Sequence, residues 1–160
     1  MPRAGEPRPH IPAATFASDA LCPSRVLIHP LSRAAVLPDG GAVLIVHTEL
    51  LDRFNQNTHA LGRLRLTVLP PTPIGIGDHA AEQPPDSTWI IDLADPEANA
   101  RLYDDLVTRT YIFRLTDLPK WLNDWVASSD TDSPILNAEF EFTGLDGVPH
   151  TISTTARLAR

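Results

Sequence analysis

Six histidines in a chain of 160 residues are the first place to look for chemistry. His47 and Glu49 stand two apart in VLIVHTELL, a spacing that puts both on one face of a strand. His59 follows in a polar segment, and Asp78, His79 and Glu82 cluster in a proline-rich one. Zinc or copper needs three or four such ligands converging, with outer hydrogen bonds to orient them. His47, His59 and His79 are therefore the candidate metal set, and a metal-dependent enzyme is the reading they would carry. No H-E-x-x-H or paired Cys-x-x-Cys supports it, and residues of these types are common on any polar surface. Nucleophilic catalysis has less behind it. There is no G-x-S-x-G, and Cys22 lies in a stretch that offers no fixed base. Gly75-Ile76-Gly77 is not followed by the further glycine and helix of a phosphate cradle. Asp104-Asp105 and Glu139/Glu141 read as a helix surface and a strand's wet face. Neither a catalytic residue nor a cofactor is expected. Trp121 and Trp125 are a different kind of candidate. At i and i+4 of a short helix, they can form a flat platform for a sugar ring or a partner peptide. Equally, they can plug one end of a core over Leu118 and Leu122. Trp121, fixed directly after Leu118-Pro119, is expected to be the structural ring and Trp125 the contact residue.

The elements that must position these residues are strands. Tyr111, Phe113 and Leu115 alternate with polar or outward neighbours. So do Leu136, Ala138, Phe140 and Phe142 in ILNAEFEF, and Ile152, Thr154, Ala156 and Leu158 near the end. Period-2 alternation is the mark of half-buried strands. Asp146-Gly147 between the last two is a hairpin turn signal. Earlier, Arg25–His29, Ala42–Leu50, Gly62–Leu69 and Thr88–Leu93 read as strands. The second of these is apolar on both faces near its middle, as in a strand covered on both sides. Asp95-Pro96-Glu97 is a helix start, and Ala98, Leu102 and Leu106 predict a short amphipathic helix to about Val107. Between Pro70 and Ser87 lies a long proline-rich surface excursion.

Composition sets the class. Hydrophobic content of 42% and charged content of 21% suit one globular domain with a core. Sixteen prolines favour strands and stiff connections over long helices. A net charge of −7 with no basic run argues against nucleic acid as a partner. No apolar run approaches the ~20 residues of a membrane helix, so no membrane span is expected. Cys22 is the single cysteine, which excludes an internal disulfide. The stretch before it lacks the apolar core of an export signal, and compartment stays open. Residues 1–24 read as a disordered tail. Residues 25–160 read as one all-β antiparallel sandwich of six or seven strands with two short helical insertions.

YIFRLTDLP, followed by ILNAEFEF, GLDG and TISTTARL, resembles the last three strands of fibronectin type III or immunoglobulin-like modules. VLIVHTELLDRFNQNTHALGRLRLTV is similar to the second and third strands of bacterial Ig-like domains, and the likeness is nearest to sandwich domains of bacterial envelope proteins. Asn55 stands where a turn glycine is usual, a helix is inserted after Leu93, and the cysteine pair is missing. The resemblance implies an Ig-like β-sandwich and, through it, a cell-envelope or extracellular setting. A sandwich hosts many functions. Three readings follow: a non-catalytic binding or spacer module acting on a protein partner in a larger assembly, a small carbohydrate-binding domain using Trp121 and Trp125, and the histidine-based enzyme.

Overall fold

The computed structural model describes residues 21–71, 84–128 and 132–160. Two antiparallel sheets face each other, joined by two short helices. One sheet holds β1 (Arg25–Ile28), β2 (Arg33–Val36), β3 (Ala42–Leu51), β6 (Tyr103–Asp104) and β7 (Thr110–Leu115). The other holds β4 (Gly62–Leu69), β5 (Ser87–Asp92), β8 (Ile135–Thr143) and β9 (Pro149–Arg157). Their orders are β1-β3-β7-β6 and β5-β4-β8-β9. Leu44, Val46 and Leu50 of β3, with Tyr111 and Phe113 of β7, point at Leu64, Leu66 and Val68 of β4 and at Leu136, Ala138 and Phe140 of β8; all are buried.

β1 and β2 lie end to end along one edge of β3, pairing Leu51–Thr48 and Ile45–Ala42, while β7 takes the other edge. Sequence reading places a loop over β2, because RAAV is too short and small to show alternation. At the break between β1 and β2, the Ser32 hydroxyl donates to the His47 carbonyl (3.1 Å) and accepts from the His47 N–H (2.9 Å). It thus stands in for a strand partner, since buried backbone groups must be satisfied. Past Leu158 the chain crosses to the first sheet, where the Ala34 N–H donates to the Ala159 carbonyl (2.9 Å) and closes that corner.

Helix α1 (Pro96–Leu102) starts as expected: the Asp95 carboxylate accepts from the Glu97 and Ala98 N–H groups, and Pro96 needs no partner in the first turn. It ends earlier than the periodicity suggests. Tyr103 leaves the helix to pair with Tyr111, and Leu106, the expected third member of the apolar stripe, is 89% exposed. Helix α2 (Lys120–Ala127) is held by packing, as a helix this short must be.

The expected tail over 1–24 falls mainly outside the described residues, but its end belongs to the fold. Pro23 is buried, Cys22 packs against the core, and the Ser24 N–H donates to the Leu51 carbonyl. Most of the Pro70–Ser87 excursion, including Asp78, His79 and Glu82, also lies outside the described residues. No described helix is long and apolar enough to cross a membrane.

Candidate functional site

The tryptophans come first. Around α2, at about 100° per residue, Leu118, Leu122, Trp125 and Val126 fall within one stripe, and all four are buried. Trp121 lies on the shoulder of that stripe and is half-buried. Trp125 is 6% exposed, its indole N–H donates to the Asp132 carbonyl (2.8 Å), and the Arg160 guanidinium sits 4.4 Å from its ring centre. Trp125, expected to be the contact residue, is thus a buried structural ring, while Trp121 packs against the same core with its indole nitrogen buried; the pair offers no common solvent-facing platform. The reason is angular. Trp121 and Trp125 share a side of the helix, but Trp125 falls well within the arc around Leu122 that faces the core and Trp121 at its margin.

The histidines separate as well. His47 is buried on the outer face of its sheet, where its Nδ1 lies 2.9 Å from the Thr110 hydroxyl. That hydroxyl is 2.8 Å from the one on Thr108, which donates to the Asp104 carboxylate at 2.9 Å. An ionised carboxylate can only accept, so each hydroxyl in the chain donates toward Asp104 and neutral His47 carries its proton on Nδ1. His29 and Glu49 complete the strip, 3.5 Å apart. His59 is exposed and lies elsewhere, edge-on over Tyr103 at 4.1 Å beside the inward-facing Tyr111. His47 and His59 therefore do not converge, and His79 lies outside the described residues. Among the described residues, no group of three or more His, Cys, Asp or Glu side chains is placed to hold a metal ion.

Burial holds the His47 pKa below the ordinary histidine value, and the nearby His29 and Arg33 charges push it the same way. A depressed folded pKa means that neutral His47 contributes its full stability above the unfolded value. That contribution is lost as pH falls through the folded one. The expected result is a melting temperature that declines on acidification from about pH 6.5 downward, with a shallower decline in His47→Asn. Equal slopes in the two proteins would remove His47 as the cause.

One end of the sandwich has a different character. The register Thr48↔Tyr111 sets the end of β3 beside the start of β7, and Gly62↔Phe142 sets the start of β4 beside the end of β8. The loops over 52–61, 105–109 and 144–148 therefore share that end. Asn57 Nδ2 donates to the Arg109 carbonyl (2.9 Å), linking the first two. Arg53 faces Gly144, Asp146 and His150 across a cavity of about 300 Å³ also lined by Cys22, linking the first and third.

Each loop is organised by an aspartate that binds the loop's own amides. Asp52, buried, accepts from the Phe54 and Gln56 N–H groups at 2.8 and 2.9 Å. Asp104 accepts from the N–H groups of Leu106, Val107 and Thr108 and from the Thr108 hydroxyl. Asp146 accepts from the Val148 N–H at 2.9 Å. Those bonds, led by the Thr108 N–H for Asp104 and the Val148 N–H for Asp146, hold both carboxyls below the usual carboxylate pKa.

With polar atoms turned inward, the loops turn apolar atoms outward. Of the ten large apolar side chains strongly exposed among the described residues, six stand on these three loops: Phe54, Leu61, Leu106, Val107, Leu145 and Val148. Leu106 and Val107 are 89% and 84% exposed. The helical periodicity counts Leu106 toward a helix, and the polar, turn-rich composition of the other two loops predicts turns. The available signal was large apolar residues within turn-rich segments, each beside an aspartate suited to capping a turn. No family model, curated protein or solved structure matches this chain.

Proposed function

We propose that this chain is a non-catalytic immunoglobulin-like binding module. It engages a protein partner in a larger assembly through the apolar ends of its three clustered loops. The observation that carries this reading is the concentration of exposed Phe54, Leu106, Val107 and their neighbours at one end, on loops already fixed by Asp52, Asp104 and Asp146. Grouped exposed apolar side chains mark interaction surfaces, whereas scattered ones need no explanation. Loops ordered before binding lose less conformational entropy on association, which favours affinity. The architectural half of the proposal is supported by strand order. If β1/β2, β3, β4, β5, β6, β7, β8 and β9 are strands A, B, C, C′, D, E, F and G, the sheets read A-B-E-D and C′-C-F-G. The A-B-E-D and C-F-G groupings are those of immunoglobulin sandwiches, whose variable-type members recognise ligands through loops at one end.

A photo-crosslinking amino acid in place of Leu106, used in an extract of the source organism, tests the site. One discrete adduct is expected, competed away by excess unmodified protein but not by the Leu106→Asp/Val107→Asp double variant. Both positions are exposed, so the double variant should melt within about 0.5 kcal/mol of the parent. Equal competition by the double variant would show that these loops are not the site.

A further inference from the structure

The sheet built on β3 stops short at β7, and the interruption has a consistent chemistry. β6 pairs with Thr110 and Tyr111 only. At Leu102 the strand line is replaced by α1, so among the described residues Ile112–Leu115 have no strand partner on that edge. The space left is a slot of about 490 Å³ lined by Arg101, Leu102, Tyr103, Asp104, Ile112 and Arg114. An open edge carries backbone donors and acceptors that either meet water or accept another strand.

The charges beside the slot select what that strand can be. Arg114 is exposed and has no ion-pair partner among the described residues. In the same cross-strand row stand Ile45 and then Arg33, another exposed guanidinium with no ion-pair partner among the described residues. Arg101 is paired only with Glu97, and both side chains are largely in water, where such a pair is weak and readily exchanged. The carboxylates nearby already have partners but keep their charge: Asp104, which also lines the slot, is bound by its own loop, and Glu49 lies 3.5 Å from His29. Along the slot the two guanidiniums of Arg101 and Arg114 outnumber the one carboxylate, on a chain whose formal net charge is −7.

We infer that Ile112–Leu115 is a docking edge for an extended acidic segment of a partner protein, added antiparallel or parallel to β7 as a further strand. Main-chain hydrogen bonds hold the added strand, and Arg114, flanked across the slot by Arg101, selects Asp or Glu on the strand's outer face. A second copy of this chain is the wrong occupant. Joining two β7 edges would set the two Arg114 side chains on one seam, and like charges across paired strands repel. This edge is distinct from the apolar loop end, and either proposal can stand without the other.

The probe is an alternating Val-Glu hexapeptide, titrated into the full chain and followed by backbone amide resonances. Saturable shifts confined to Ile112–Leu115 and the slot residues are expected. Binding should weaken about tenfold or more in Arg114→Glu. The Val-Lys counterpart should fail on the parent and bind Arg114→Glu. An N-methylated Val-Glu peptide should bind neither protein, because the ladder needs its amides. The inference is overturned if the Val-Glu peptide does not saturate, or if the N-methylated peptide binds equally well, which would indicate charge attraction alone. It is also overturned if those amides of Ile112–Leu115 that point away from β3 are already protected from exchange in the free protein. Concentration-dependent dimerisation with protection of those amides would overturn it in favour of a second copy.

Discussion

Replacing Trp125 by alanine should cost about 3–5 kcal/mol of folding free energy, the range for emptying a buried aromatic site. The indole is 6% exposed and fills the gap between α2 and the core formed by Leu122, Val126 and the sheets. Its N–H satisfies the Asp132 carbonyl just before β8, and its outer face carries the Arg160 guanidinium. Truncation therefore opens a cavity, leaves a carbonyl to find water and removes the cation–π contact, three losses in the same direction. Trp121→Ala should cost less, about 1–2 kcal/mol, since that ring is only half-buried. Trp121→Phe should be near neutral, because the buried Trp121 indole N–H has no hydrogen-bond partner among the described residues. Denaturant unfolding of the three variants checks the order. A larger loss in Trp121→Ala than in Trp125→Ala would overturn the packing of α2 described above.

The contrast between the two tryptophans shows what kind of information the chain exposes to a reader. Strands with strict alternation, such as Leu136 to Phe142, are legible because each residue's face follows from its parity. The strand over Gly62–Leu69 agrees with the periodicity to the residue. β2 and β6 are not legible, because their existence depends on β3 and β7 presenting an edge to them rather than on their own side chains. The helix over-run past Leu102 has the same origin. Ala98, Leu102 and Leu106 do recur at helical spacing, but pairing of Tyr103 with Tyr111 and the Asp104 hydrogen bonds outweigh that preference. The candidate site is harder still to read. Nothing in the spacing of Phe54, Leu106 and Leu145 brings them to one end of a sandwich; the sheet registers do. Likewise, His47 and His59 lie close in sequence, yet the geometry of β3 and the loop after it keeps them apart.

Gly62→Ala is expected to be the most damaging small substitution in the second sheet. Gly62 opens β4 opposite Phe142, and its carbonyl accepts the Leu93 N–H at 2.8 Å, so three segments meet at this point. Its backbone has no need of a positive φ; the constraint is space. A Cβ here would overlap the Glu141 carbonyl oxygen and come within 2.8 Å of Cζ of Phe140. Neither can move aside cheaply. The carbonyl belongs to the β8 backbone, whose neighbours pair with both β4 and β9, and the Phe140 ring is fully buried. Relief requires β4 and β8 to part at their ends, which would also move Leu61 and the 52–61 loop. The cost should reach or exceed the upper end of ordinary overpacking, about 3 kcal/mol. Gly41→Ala is the matched control: the nearest atom to its added methyl is a carboxylate oxygen of the exposed Asp39 side chain at 3.2 Å, which can give by a few tenths of an ångström and keep its hydrogen bond from the residue 41 N–H. That variant should stay within about 0.5 kcal/mol of the parent. Chemical denaturation of both decides the point. A Gly62→Ala protein as stable as Gly41→Ala would mean that β4 and β8 do not approach as closely at Gly62 as the fold requires.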